Sequence, residues 1–210
     1  MNLRTRITRP RVILLVTGIL IGALAILLIR FLTYAPVQVH YHANFAVYIN
    51  GVKEEFKDPS YYEEVAVCSS TDDIKTVAQR SHMHDNVSSA VHVHDHVVTW
   101  GQFFQSIGWT IGPDFIQTRA GDLYQEDDVN KLNIIVNGED FTSLSQLPNM
   151  IIGDEARLLV SYGNADQATV KKQYASVAET AHHLDNTKDP AACSGSEKTS
   201  IKDRFNHLLK

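Results

Sequence analysis

Seven of the ten histidines lie between His40 and His96, and each belongs to a run with HxH spacing: His40 and His42, His82 and His84, then His92, His94 and His96. In an extended strand successive side chains alternate between faces, so each run places its imidazoles on one side. His92, His94 and His96 would project together, with Val91, Val93 and Val97 facing the other way. Neutral imidazole is the commonest metal ligand, and two on one strand face can reach a single ion with little rearrangement. A lone HxH pair is ordinarily two solvated side chains. Three runs in the same phase predict a metal site built from His40, His42, His82, His84, His92, His94 and His96. His182 and His183 are adjacent on an expected helix, point in different directions and are expected to be solvated.

The absence of other donors narrows the chemistry. Cys68 and Cys193 are far in sequence from the histidine runs, so thiolate centres such as blue copper or cysteine-rich zinc have no support. Asp85 and Asp95 sit at odd offsets and would face away from the imidazoles, which disfavours a carboxylate-bridged dinuclear centre. All-imidazole ligation suits copper(II) or mononuclear zinc. No nucleophile–base constellation accompanies the histidines. Metal binding or delivery is therefore the leading reading. The alternatives are a metalloenzyme with an all-histidine mononuclear site and an interaction domain whose histidines sense pH.

The elements that must position these residues follow an anchor. Val12 to Ile29 is an uncharged 18-residue run that, as a helix, spans about 27 Å, close to the hydrocarbon core of a bilayer. Arg4, Arg6, Arg9 and Arg11 precede it, which predicts a cytoplasmic N-terminus and an extracytoplasmic remainder. The run exceeds a usual signal-peptide core, and the segment after it is a poor cleavage site, so an uncleaved anchor is expected. The expected organisation is a cytoplasmic basic tail (1–11), a transmembrane anchor (12–33), an extracytoplasmic histidine-rich α+β domain (34–163), and a C-terminal helix and tail (164–210). Residues 1–30 hold five of the 19 basic residues and none of the 24 acidic ones, so the rest carries about ten net negative charges. That excess disfavours a nucleic-acid partner. Two cysteines outside the cytoplasm predict a disulfide between Cys68 and Cys193.

Val37 to Asn50 alternates almost without error, which predicts a half-buried strand with its histidines on a polar face. Asn50-Gly51 and Asn137-Gly138 predict hairpin turns, the first returning as a strand over Val52 to Phe56. Thr71-Asp72-Asp73 is expected to cap a short helix running to Arg80. Thr99 with Gln102 reads as a capping box, with Gly108 as the stop. Trp100, Phe103, Phe104 and Ile107 form one apolar stripe on that helix. Ile111 to Asn130 reads as mostly loop, Leu132 to Val136 and Arg157 to Tyr162 as strands. One amphipathic helix is expected from Ala165 towards His182, and a short helix over Ile201 to Leu209. The expected fold is α+β: a mixed or antiparallel sheet with one packed helix, β-grasp-like, preceded by one transmembrane helix.

HVHDH lacks one residue of the HxHxDH signature of metallo-β-lactamase-like hydrolases. The chain also lacks the His-Cys-His element of multicopper oxidases, and the strand pair of carbonic anhydrases is too short a motif to be specific. The combination of an N-terminal anchor, HYHANFAVYING, an HxHD segment, VHVHDHVVTWGQFF and DPAACSG resembles exported, membrane-anchored histidine-rich proteins of no assigned activity. The resemblance covers most of the ectodomain and implies no mechanism.

Overall fold

The computed structural model describes residues 9–34, 39–62, 76–83, 87–141, 144–187 and 201–208. The chain forms two compact units, Met1–Val37 with Ser196–Lys210, and Gln38–Gly195. Cys68, Cys193, His84, Asp85 and the Thr71-Asp72-Asp73 cap lie outside the described residues, as does the expected Cys68–Cys193 bridge.

In the first unit, helix α1 (Arg9–Thr33) is 25 residues long, buries none of its side chains, and is long and apolar enough to cross a membrane. Its last carbonyls lack helical partners, as at any helix end. Arg204 of helix α6 (Ile201–Leu208) donates to the carbonyls of Phe31 and Leu32 at 2.6 and 2.9 Å, while Phe205 packs on Phe31 with ring centroids 5.1 Å apart.

The second unit is built on a seven-stranded mixed sheet. Strand β1 (Tyr41–Ile49) turns at Asn50 and Gly51, whose φ values of 51° and 80° are those a tight hairpin requires, into β2 (Val52–Lys53). Only two residues pair there, fewer than the expected Val52 to Phe56. A short helix α2 (Val77–Arg80) leads into β3 (Ser81–His82), followed by β4 (Ala90–Val93) and helix α3 (Trp100–Ser106). α2 is capped by Thr76, with Gln79 completing the box. A three-stranded sheet of β5 (Thr110–Ile111), β6 (Phe115–Gln117) and β7 (Leu123–Gln125) replaces the expected loop; strands of two or three residues leave too short an alternation to read. Hairpin β8 (Lys131–Val136) and β9 (Glu139–Asp140) and the strand β10 (Arg157–Gly163) complete the set. The order is β3-β4-β1-β10-β8-β9, with β2 beside β1 and the central pair β1 and β10 parallel. Two hairpins flanking a helix, with the first and last long strands parallel in the middle, make this a β-grasp-like sheet.

The odd-numbered face of β1 carries the main core. Ala43, Phe45 and Val47 join Val91 and Val93 of β4 and the α3 stripe of Trp100, Phe103, Phe104 and Ile107, all essentially inaccessible. Each large apolar side chain buried there contributes roughly 1.5–3 kcal/mol. Thr99 caps α3 through the expected box with Gln102. Gly101 is required by a close approach: a Cβ there would stand 2.6 Å from the Pro148 carbonyl oxygen.

The even-numbered face is also covered, contrary to the half-buried strand expected. Ala46, Ile135 and Leu159 pack under Val170 and Val177 of a second layer. That layer is two helices rather than one, α4 (Gln167–Ala175) and α5 (Ala181–Asp185). The break has a local cause. Arg157 donates to the carbonyls of Tyr174 and Val177 at the end of α4, and the Asn44 side chain accepts from the amides of Thr180 and Ala181 at the start of α5. Sheet side chains thus satisfy the backbone groups that a continuous helix would have paired internally.

Candidate metal centre

Three strands bring the histidine runs together. β4 pairs antiparallel with β1, placing His42 opposite His92, and with β3, placing His82 opposite His92. His82, His92 and His42 therefore form a row across adjacent strands, the geometry in which cross-strand side chains meet directly. His40 and His94 lie one step further along on the same face, with ring centroids 5.0 Å apart. His42, His82 and His92 are buried, at 1%, 2% and 4% exposure, and His40 and His94 are half-buried.

His40, His92 and His94 each offer a ring nitrogen, and these atoms all lie within 4.8 Å of one another. Among the described residues, this trio is the group of metal-type donors that converges closely enough to hold an ion. Ligand nitrogens of a tetrahedral zinc site, each about 2.0–2.1 Å from the metal, stand roughly 3.4 Å apart. Rotation of an imidazole about its side-chain bonds moves a ring nitrogen by the ångström or so that separates the two spacings. The donor set, nitrogen without sulfur or carboxylate, fits zinc or copper(II).

Two further histidines surround the trio and are held by hydrogen bonds. His82 Nδ1 lies 2.6 Å from the Ala78 carbonyl oxygen, to which it donates, and its ring stacks on that of His94 at 4.9 Å. His42 Nε2 is 2.9 Å from His92 Nδ1, and His42 Nδ1 is 2.6 Å from Asp185 Oδ1 at the end of α5. Asn44, the next residue on this face after His42, makes four hydrogen bonds of 2.9 Å: three hold the start of α5, two accepted from the Thr180 and Ala181 amides and one donated to the Thr180 hydroxyl, and the fourth is donated to the Ser89 carbonyl. Next to Asp185, Asp154 is pushed above the usual carboxylate range by burial and then by the charges of Asp185 and Glu155. Burial, and then Asp154, likewise raises the Tyr41 hydroxyl, which donates to the Ile152 carbonyl at 2.8 Å.

His96 departs from the alternation. β4 ends at Val93, and the chain turns through Asp95, His96 and Val97. Asp95 accepts from the Arg80 guanidinium at 2.9 Å and from the His96 amide at 2.7 Å, and Arg80 also donates to the His96 carbonyl. Val97, expected on the core face, is 63% exposed with φ of 58°; Val98 takes the buried place. His96 itself is exposed. His182 and His183 are exposed too, and His182 Nδ1 lies 2.6 Å from Glu155 Oε1. That hydrogen bond, with the Glu155 charge, holds the His182 imidazole above its ordinary pKa.

Sequence reasoning missed Asp185, Asn44 and the Ala78 carbonyl. Asn44 was legible, since it continues the His40–His42 alternation. Asp185 lies 143 residues from His42 and the Ala78 group is backbone, so neither left a pattern. No protein-family model matches the chain, and no curated protein or solved structure is significantly similar to it.

Proposed function

We propose that this chain is a membrane-anchored extracytoplasmic protein that binds or delivers a copper or zinc ion. The observation that carries the reading is the convergence of His40, His92 and His94 from two adjacent strands, each with a donor nitrogen within 4.8 Å of the others. His82 is the fourth ligand in this reading. Its Nδ1–H is committed to Ala78, which leaves the lone pair on Nε2, and its ring lies against His94. With His82 as a fourth ligand the site would be closed, suited to holding or handing on an ion. The arginine-flanked helix supports an anchor with the sheet domain outside the cytoplasm.

The test is metal analysis of the untagged full chain in detergent, with copper(II) EPR and titration by zinc. One tightly held ion per chain is expected, with nitrogen hyperfine structure when it is copper. Replacing His92 and His94 together by alanine should abolish tight binding, His82→Ala should weaken it at least tenfold, and replacing His182 and His183 should leave it intact. A His92/His94 double variant that binds as tightly as the parent would refute the reading.

A further inference from the structure

Asp185 and His42 lie outside the converging trio, yet they form an unbroken chain to it: carboxylate, imidazole, imidazole. Distances of 2.6 Å from Asp185 to His42 and 2.9 Å from His42 to His92 are those of good hydrogen bonds, and His42 is 1% exposed. The direction of these bonds follows from donor inventory. An ionised carboxylate only accepts, so His42 Nδ1 carries a hydrogen and donates it to Asp185. In a neutral His42 the other ring nitrogen, Nε2, then has the lone pair and must accept. Its partner, His92 Nδ1, therefore carries a hydrogen, and the lone pair of His92 is left on Nε2.

We infer that Asp185 is a positioning residue for the metal centre, fixing His92 through His42 as an Nε2 ligand. This rests on the metal-binding reading of His40, His92 and His94. Carboxylate–histidine pairs behind metal ligands set the ring tautomer and orientation and raise ligand basicity, and losing such a partner typically costs 10–100-fold in metal affinity. Here the relay has one imidazole more, and the carboxylate comes from a five-residue helix that Asn44 holds against the sheet. The metal site thereby extends to α5, about 90 residues beyond the last histidine run. Docking of this segment and tight metal binding are thus coupled. Of the other carboxylates nearby, Glu155 faces His182 and Asp95 faces Arg80, while Asp154 lies beside Asp185 itself.

Two measurements on the full chain in detergent micelles test this. Long-range nitrogen–proton NMR on histidine-labelled, metal-free protein reads the tautomer of each ring. His92 is expected as the Nδ1–H form in the parent, and Asp185→Ala should shift it towards the Nε2–H form. Competition titration with zinc and a chelator reads affinity. Asp185→Ala and His42→Ala should each weaken binding 10–100-fold, with no further loss when combined, and Glu155→Ala should stay within about twofold of the parent. A parent His92 in the Nε2–H form, or an Asp185→Ala variant binding as tightly as a parent that binds zinc, would overturn the inference. A parent that binds no metal overturns the metal-binding reading instead, and the tautomer result then decides the relay alone.

Discussion

Asn44→Ala should destabilise the sheet domain by about 3 kcal/mol and weaken the proposed metal site at the same time. Asn44 is 1% exposed and makes four hydrogen bonds of 2.9 Å. Alanine removes all four. The Ala181 amide is in a buried setting, and a buried donor left without a partner costs about 1–3 kcal/mol. The Thr180 amide, Thr180 hydroxyl and Ser89 carbonyl are part-buried and regain water, so each adds a few tenths to about 1 kcal/mol. The terms sum to about 2–6 kcal/mol, and a loss of about 3 kcal/mol for a domain of this size lowers Tm by roughly 6–12 °C. Trp100 and Trp109 are both buried, so their fluorescence reports unfolding in a denaturant titration of the full chain. The same variant frees α5, and with it Asp185, so zinc affinity should fall by the 10–100-fold expected of a lost outer-shell partner. A stability loss under about 0.5 kcal/mol, or a destabilised variant with undiminished zinc affinity under folding conditions, would refute the claim that Asn44 couples α5 to the histidine cluster.

Saturating zinc should raise the Tm of the parent, by about 2.7 kcal/mol of added stability at a hundred times Kd, and the gain should vanish in the His92/His94 double variant. Because ligating imidazoles must be neutral, that gain should shrink as pH falls from about 7 to 5, which differential scanning at a series of pH values would follow. His182 should titrate above its ordinary 6.5, and Glu155→Gln should bring it back, both read by NMR. Since its folded pKa is raised, any stabilisation from that pair is complete below the ordinary value and disappears as pH rises through the folded one; stability that instead grew through this window would contradict the pairing. Protease added outside intact cells should remove the chain beyond about Tyr34 and spare the segment before α1; full protection would place the domain on the other side.

Much of this protein is written in local pattern. The period-2 alternation of residues 41–49 and 91–93, the two Asn-Gly turns, the Thr99–Gln102 box and the aromatic stripe of α3 each specify a conformation within a few residues, and each of those elements is found, although both faces of the first strand are covered. So is the apolar helix, which needs only length and composition. The shared phase of the histidine runs follows from the same alternation, because β-strand geometry decides faces before any strand has a neighbour. What the pattern could not decide was adjacency. Pairing of β1 with both β4 and β10 depends on contacts between residues 50 and more than 100 positions apart, and it is this pairing that sets His40 beside His94 and His42 beside His92. The end of β4 at Val93 was likewise tertiary, since Arg80 and Asp95 pull His96 out of the strand. The break between α4 and α5 was decided by Arg157 and Asn44, which replace helical partners with side chains from the sheet. Through that break a carboxylate near the end of the described sheet unit reaches His42, because a short helix docked by its first amides points its last turn at the buried imidazoles.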